Sequence, residues 1–237
     1  TTLFRSKVWD LFETIDWNED NLLEMISKRI EYFYQGSSKM TPQEKWNLIF
    51  QETLDYRQTK SFNYVVDRSL YRPREIIQFC TEIKESAVKV EVLPPLNYQI
   101  ISEAEYIYSE KRTQDIAAEY RFQYPGLLSI FETFRGMSYN FDKDDLEYHC
   151  LEISTGEKRI IEEAYSWIEN QDPDFIINIL WHIGFIRAQA IGGVKAKRRS
   201  GSKYLGSHQI FNLNLSTIKR FHIHPMFRAF LGLRESK

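Results

Sequence analysis

The sequence lacks the short motifs that mark several large classes of enzyme. It contains no Gly-x-x-x-x-Gly-Lys-Ser/Thr phosphate loop, no Gly-x-Ser-x-Gly turn, no His-Glu-x-x-His helix and no Cys-x-x-Cys pair. These motifs provide, respectively, a phosphate-binding loop, a nucleophilic serine, a zinc site and a redox dithiol. Without them we expect no catalytic residue and no complete active site in this chain, which excludes a self-contained P-loop enzyme.

The sequence also has few cysteines, little net charge and no long apolar run. The two cysteines, Cys80 and Cys150, each lie in an apolar periodic segment, so we expect both to pack as free thiols in a reducing, cytoplasmic compartment. A formal net charge of −2 provides no general attraction to nucleic acid or anionic lipid. No apolar run approaches the roughly 20 residues of a membrane-spanning helix. We therefore expect no membrane partner, and a nucleic-acid surface can only be local.

The sequence does contain enough apolar residues for two packed modules. Of its 237 residues, 43% are hydrophobic and 15% are aromatic, which excludes a disordered chain. The pattern predicts a mainly α protein: a helical, lid-like bundle in residues 1–136, followed by a winged-helix-like module with a small β-hairpin in residues 137–237. Thr1 is not an initiator methionine, so we expect a fragment or a chain whose front was removed.

Capping residues and apolar periodicity predict the helices of the first module. The predicted helices follow the caps in residues 16–21, begin at Pro42 and Pro73, cover residues 62–70, begin at a capping box in residues 102–105, and cover residues 126–134. Residues 109–115 of the long helix are almost wholly polar. We expect this turn to face water or a partner.

The second module is predicted as three helices and a hairpin. The predicted helices begin at Asp142, after Thr155 and at Asp172-Pro173, the last ending at Gly184; residues 185–191 and 209–213 form two strands, and a short helix covers residues 226–231. A loop rich in Gly, Lys, Arg and Ser joins the two strands. Three helices followed by a basic hairpin is the order of elements in a winged helix.

The segment Arg72-Pro73-Arg74 combines a helix start with two guanidinium groups. Proline is tolerated at the first helical position, so a helix is predicted to begin at Pro73, with Arg72 just outside it and Arg74 just inside. The free backbone N–H groups of a helix start and two arginine forks together favour an anion such as phosphate. We predict an anion site at Arg72 and Arg74. The alternative is that both arginines pair with carboxylates of neighbouring helices.

The predicted hairpin loop is strongly basic. Five cations fall within nine residues, namely Lys195, Lys197, Arg198, Arg199 and Lys203. Such a loop can neutralise several phosphates of a nucleic-acid backbone and release their counterions. It contains no Asn or Gln to read base edges, so we expect binding to be largely independent of base sequence. The alternative is a solvated loop without a partner.

Two histidines, His222 and His224, alternate on a predicted strand, where a two-histidine metal edge is geometrically possible. No carboxylate or cysteine stands at ligand spacing beside them. We therefore predict no metal site.

Four segments carry a family resemblance: residues 15–30, 68–80, 108–125 and 221–227. The second contains the sequence RPREIIQF, and the last contains FHIHP. In these segments the chain resembles bacterial STAND/AAA+-type P-loop ATPases, of the group related to KAP-like and conflict-system ATPases. The resemblance covers most of the chain, but the phosphate loop and the Walker B acid of that family are absent from it.

The resemblance implies that the chain is the C-terminal lid and winged-helix part of such an ATPase. Arg72 and Arg74 would act as sensor arginines towards the terminal phosphates of ATP-Mg²⁺ when an upstream nucleotide-binding domain is present, and the chain alone would hold no cofactor. The implied function is regulatory and DNA-contacting, with anti-phage defence as its setting and a homo-oligomer as one assembly state.

Two other functions fit the same pattern. One is a scaffold for protein–protein assembly that uses the polar turn at residues 109–115 as its contact face. The other is a stand-alone winged-helix regulator, which requires dimerisation and sequence-specific DNA binding. Alanine at Lys197, Arg198 and Arg199 separates the scaffold from the DNA-contacting part, because only the latter loses its partner.

Overall fold

The computed structural model describes residues 17–189, 204–210 and 213–235, and it is mainly helical with small antiparallel sheets, as predicted. The elements before residue 137 are α1 (Glu19–Phe33), α2 (Pro42–Asn47), β1 (Thr53–Leu54), β2 (Thr59–Lys60), α3 (Ser61–Asp67), α4 (Pro73–Lys89), α5 (Tyr98–Glu119) and α6 (Leu127–Glu132). The later ones are β3 (Asn140–Asp142), α7 (Lys143–Ser154), α8 (Glu162–Ile168), α9 (Pro173–His182), β4 (Ile186–Gln189), β5 (Tyr204–Leu205), β6 (Arg220–Ile223) and α10 (Pro225–Arg228).

Several helix starts follow the capping chemistry of the sequence. Asn18 caps α1 through its side-chain oxygen. Thr41 and Glu44 form the predicted capping box of α2, and Pro73 is the first residue of α4, as predicted. Asn18, Thr41 and Glu44 accept hydrogen bonds from backbone N–H groups that have no partner inside the helix, and Pro73 has no N–H that needs one.

The long helix α5 begins earlier than the sequence predicts. Its cap is Asn97, whose side chain accepts a backbone hydrogen bond from the first turn, so the helix starts at Tyr98. The predicted cap Ser102 lies inside the helix, where its hydroxyl donates to the carbonyl of Gln99 at 2.9 Å. The capping-box prediction was wrong because a better N-terminal cap stands five residues upstream.

The polar turn at residues 109–115 of α5 is only partly buried, so the prediction that it faces water or a partner holds for part of it. Its exposed residues are Lys111, Gln114 and Asp115. Ser109 donates to the carbonyl of Met226 in α10 at 2.6 Å. Arg112 is 5% exposed and lies 3.3 Å from a carboxylate oxygen of Glu75 in α4. Because α4 and α10 both cover α5, polar groups on two of its faces pair inside the protein.

The second part of the chain contains a four-stranded antiparallel sheet in the order β3-β6-β4-β5. In its register, Ile186 lies opposite Ile223, and Ala188 lies between Phe221 and Leu205. All five side chains are buried against the helices. Three helices followed by a hairpin agrees with the prediction, whereas β3 and its pairing with β6 were not predicted.

Two boundaries in this part differ from the predictions. The return strand is Tyr204–Leu205, whereas the described part of residues 209–213 forms no strand and includes the end of the 3-10 turn Ser207–Gln209. Helix α8 begins at Glu162 and not after Thr155. The hydroxyl of Thr155 donates back to a carbonyl of α7, so this residue ends one helix instead of starting the next.

One cluster of buried apolar side chains extends through both parts of the chain. Phe131 stacks on Phe185 with ring centroids 4.4 Å apart. Gly184 ends α9 with a φ of +83°, and a Cβ there would lie 2.9 Å from a methyl of Leu70. The division into modules at residue 136 stays a prediction.

The two cysteines are free thiols, as predicted, with Cys150 buried and Cys80 half-buried. Burial raises the pKa of the Cys80 thiol to about 12, so the group stays protonated at neutral pH. Among the helices that the structure describes, none combines the length and the apolar character needed to cross a bilayer.

Candidate functional site

The predicted anion site at Arg72 and Arg74 opens onto a cavity of about 440 Å³ beside the start of α4. Arg72 is half exposed, and its Nη1 lies 2.9 Å from a carboxylate oxygen of Glu119 and 3.9 Å from one of Glu75. Arg74 is exposed and forms no ion pair with the residues that the structure describes. The structure therefore brings both arginines to one cavity, where Arg72 is paired and Arg74 has no carboxylate partner among the described residues.

The charges lining this cavity balance. They come from three arginines and three acids: Arg72, Arg74, Arg112, Glu75, Asp115 and Glu119. Glu75 is 1% exposed, and burial raises its pKa although the backbone N–H of Leu70 and the guanidinium of Arg112 both lower it. An incoming anion would have to compete with carboxylates already in place. Nucleotide binding at this site stays a prediction. Arg72 pairs with a carboxylate of a neighbouring helix, as the alternative interpretation predicts.

The cations of the predicted nucleic-acid site lie outside the described residues. They are Lys195, Lys197, Arg198, Arg199 and Lys203. The structure does describe the stem that holds this loop, in which Gln189 of β4 pairs with Tyr204 of β5. The ring of Tyr204 stacks on His222 of β6, with centroids 3.2 Å apart. The stem is thus part of the packed sheet.

His222 and His224 both make contacts with side chains inside the fold. Burial and the positive charges of Arg228 and Arg187 lower the pKa of His222 to about 3, so its ring is neutral where it stacks on Tyr204. His224 is fully buried, and its Nε2 lies 2.7 Å from a guanidinium nitrogen of Arg187. Within the described ranges, no group of three His, Cys, Asp or Glu side chains could hold a metal ion.

A second cavity, which the sequence did not predict, lies between the β1–β2 turn, α3 and α10. We call it the cationic pocket. It has a volume of about 500 Å³, and its charged lining is four cations and a single carboxylate: Arg57, Lys60, Arg68, Arg228 and Asp67. The rest of the lining is aromatic, polar or proline, from Tyr56, Gln58, Thr59, Asn63, Tyr64 and Pro225.

Two of these cations pair at the surface. Arg57 pairs with Glu235 and Lys60 pairs with Glu52, and each of the four side chains is about half exposed. Ion pairs this exposed contribute between zero and about 1 kcal/mol, because water screens the charges and two long side chains must be ordered. Both cations can therefore leave their partners at little cost.

The third cation, Arg68, is held more firmly. Its Nε donates to a carboxylate oxygen of Glu105 at 2.6 Å, and its guanidinium lies 3.3 Å from the ring centroid of Tyr64. The hydroxyl of Tyr64 donates to the same carboxylate. Arg68 and Glu105 are both largely buried, so this trio forms a fixed wall of the pocket.

Behind the pocket lies Arg187, which is 2% exposed. Its terminal nitrogens donate to the carboxylate and the backbone carbonyl of Asp67 at 2.7 and 2.8 Å. The one carboxylate that lines the pocket is therefore engaged from behind. Sequence reasoning missed this cluster because Asp67 and Arg187 are 120 residues apart and meet only in the folded chain.

The fourth cation, Arg228, has no carboxylate partner within the described residues. Its Nε donates to the carbonyl of Ile223 at 2.8 Å, and its guanidinium lies 3.7 Å from the ring centroid of Tyr139. Burial, followed by repulsion from Arg187, lowers its pKa to about 10. The environment therefore disfavours the positive charge that Arg228 carries at neutral pH.

Comparison with known proteins gives one match. Residues 20–117, from α1 to near the end of α5, match a family model described as a FunZ-associated C-terminal helical domain. No curated protein and no solved structure matches the chain. The match covers less than half of the chain, and it supports an accessory, helical part of a larger protein. Its description does not mention an ATPase, so the resemblance to STAND-type ATPases stays a prediction.

Proposed function

We propose that this chain is an accessory part of a larger protein and contacts the nucleic-acid backbone through its basic hairpin loop. The observation that carries the proposal is the stem: β4 and β5 pair as far as Gln189 and Tyr204, and the five cations lie in the residues between them. The similarity of residues 20–117 to a FunZ-associated helical domain supports the accessory role.

The five cations are close together in the sequence of a chain that has a net charge of −2. Paired strands lie about 5 Å apart, so the stem brings together Gln189 and Tyr204, the described residues on either side of the loop. Five phosphate contacts correspond to a slope of about −4.5 in a plot of log K against log[salt] for duplex DNA. Binding should therefore be weak at physiological salt and independent of base sequence.

Fluorescence anisotropy with random-sequence duplex DNA, over a series of salt concentrations, tests the proposal. The variant K197A/R198A/R199A should lose most of the affinity, and its salt slope should become shallower by about 3. The control variant K28A/K39A/K89A removes the same charge from exposed positions elsewhere and should bind DNA as the wild type does.

Equal wild-type affinity at low and high salt would contradict the DNA proposal, as would an equal loss in the control variant. Selection from random DNA sites provides a second check. A recovered consensus would favour the stand-alone winged-helix regulator, because contacts to backbone phosphates carry no base specificity.

We also propose that the larger protein is a cytoplasmic, multidomain P-loop ATPase that acts in anti-phage defence. The RPREIIQF resemblance supports this, and so does the solvent-open cavity beside Arg72 and Arg74. An upstream nucleotide-binding domain would supply ATP-Mg²⁺. Arg74 has no carboxylate to displace within the described ranges, and the exposed pair between Arg72 and Glu119 is easily exchanged. Two free cysteines fit a reducing compartment.

ATP turnover by the larger protein tests this part of the proposal. R72A/R74A should lower turnover at least tenfold, as expected for arginines that stabilise charge on the transferred phosphoryl group. The control R121A removes an exposed arginine outside the cavity and should leave turnover unchanged. Unchanged turnover in R72A/R74A, or a larger protein without a phosphate loop, would make both arginines structural residues.

A second candidate function is protein assembly through an apolar groove. The groove has a volume of about 630 Å³, and its lining includes Phe33 and Leu93, which are 77% and 83% exposed. Arg29 and Lys84 also line it, so its chemistry fits an amphipathic helix with acidic flanks. We propose that the upstream part of the larger protein supplies this helix.

Co-purification of the separately expressed upstream part with this chain tests the assembly proposal. L93S should weaken the complex, whereas F122S, which removes an exposed apolar side chain outside the groove, should not. Light scattering of the chain alone completes the test. A dimer that L93S dissociates would instead assign the groove to a homo-oligomer and overturn the upstream occupant.

A further inference from the structure

We propose that the cationic pocket is a binding site for a phosphoryl anion. The pocket shares no residue with the basic hairpin loop, so the proposal does not rest on the proposed function. The cluster of five cations, Arg57, Lys60, Arg68, Arg187 and Arg228, pairs with four carboxylates, those of Glu235, Glu52, Glu105 and Asp67. One guanidinium, that of Arg228, has no carboxylate partner within the described residues, so the site is one negative charge short.

The side chain of Arg228 is already ordered in a position where it can bind an anion. Its Nε is fixed on the carbonyl of Ile223, and its guanidinium lies over the ring of Tyr139. A fork that is already ordered loses little conformational freedom when it binds an anion, and partial burial strengthens the attraction. The lowered pKa of Arg228 agrees with this view, because a bound anion would offset the repulsion from Arg187.

The remaining lining matches a phosphoryl group better than a carboxylate. Arg57 and Lys60 can turn from their exposed partners towards a ligand. Gln58, Thr59 and Asn63 also line the pocket, and their side chains form no hydrogen bond within the described residues. A phosphoryl group has three or more strong acceptor oxygens, so it can use several cations and neutral donors together. A carboxylate has two oxygens and would leave part of this lining unused.

Isothermal titration calorimetry of the full chain with inorganic pyrophosphate tests the proposal. Wild-type protein should show saturable binding, and R57Q/K60Q should weaken it about tenfold, the effect of losing charge-assisted hydrogen bonds. These two side chains are exposed, so the variant should fold normally. The matched control K89Q/R121Q removes one exposed lysine and one exposed arginine that line neither cavity, and it should bind pyrophosphate within about twofold of wild type.

Two further variants separate charge from folding. R228Q should abolish binding, whereas R228K keeps the charge and should retain part of it, and thermal unfolding checks that both are folded. Absence of saturable binding to the wild type would overturn the proposal. So would wild-type binding by R57Q/K60Q, or a loss in K89Q/R121Q as large as the loss in R57Q/K60Q.

A competition experiment between pyrophosphate and an oligonucleotide identifies the source of the phosphoryl group. An oligonucleotide that displaces pyrophosphate assigns the pocket to backbone phosphate, and one that does not assigns it to a free phosphate compound. The loop variant K197A/R198A/R199A keeps all residues of the pocket. Loss of DNA binding with retained pyrophosphate binding would separate the pocket from the basic loop, so the two proposals can fail independently.

Discussion

Replacing Arg187 by methionine should lower the free energy of unfolding by about 2–3 kcal/mol. Arg187 is 2% exposed and donates twice to Asp67, at 2.7 and 2.8 Å. Removing one member of a buried ion pair costs about 3–5 kcal/mol, since the other charge stays buried. Two effects reduce this cost: the Asp67 side chain is 29% exposed and regains water, and repulsion between Arg187 and Arg228 disappears.

Urea unfolding, followed by tryptophan fluorescence and by far-UV circular dichroism, measures this loss. R220M is the matched control. Arg220 lies on β6 of the same sheet, and it and its partner Asp142 are both about 60% exposed, so its replacement should cost less than about 1 kcal/mol. A loss in R187M no larger than that in R220M would refute the reasoning.

The same experiment reports on the coupling of the two parts of the chain. Asp67 precedes residue 136 and Arg187 follows it, so the pair joins the two predicted modules. We expect the two probes to give coincident transitions in the wild type, because one apolar core and this ion pair cross the predicted boundary. Separate transitions would show that the modules unfold independently.

Three further predictions concern single positions. Burial lowers the pKa of His149 to about 4, so protonation of this residue favours the unfolded protein. The free energy of unfolding should therefore fall by about 3 kcal/mol as the pH drops from 6.5 to 4. H149Q should flatten this part of the profile of unfolding free energy against pH, measured by urea unfolding. G184A should cost more free energy of unfolding than G136A, because both glycines have positive φ but only the first would place a Cβ 2.9 Å from Leu70; equal costs would contradict this packing. R72A should change the melting temperature little, since an exposed ion pair contributes less than about 1 kcal/mol.

The helix starts show which local features the sequence specifies. Pro73 begins α4, and Asp172 with Pro173 begins α9, because proline at the first helical position needs no neighbour from another part of the chain. Ser102 shows the limit of this reasoning. It resembles a cap by its spacing to an acidic residue, but Asn97 caps the helix earlier, and the pattern alone does not rank the two.

The candidate sites also differ in how much of each one can be recognised from the sequence. The sequence placed Arg72 and Arg74 at a helix start, and the structure confirms that placement but adds Glu119, which comes from another helix. The basic loop was visible because its charges are adjacent in sequence. The cationic pocket was not visible, because residues of the β1–β2 turn and α3 meet Arg228 only after the chain has folded back.

By itself, the sequence determined the mainly helical class, most helix starts, the free cysteines and the clustered charge of the hairpin loop. These properties depend on capping, spacing and composition over a few residues. Only the tertiary structure decided that part of the polar turn of α5 is buried, that Arg72 is paired and that Arg228 has no carboxylate partner in the part of the chain that the structure describes. Each of these depends on which groups from distant segments meet, and an ion pair or a burial cost exists only once both partners are in place.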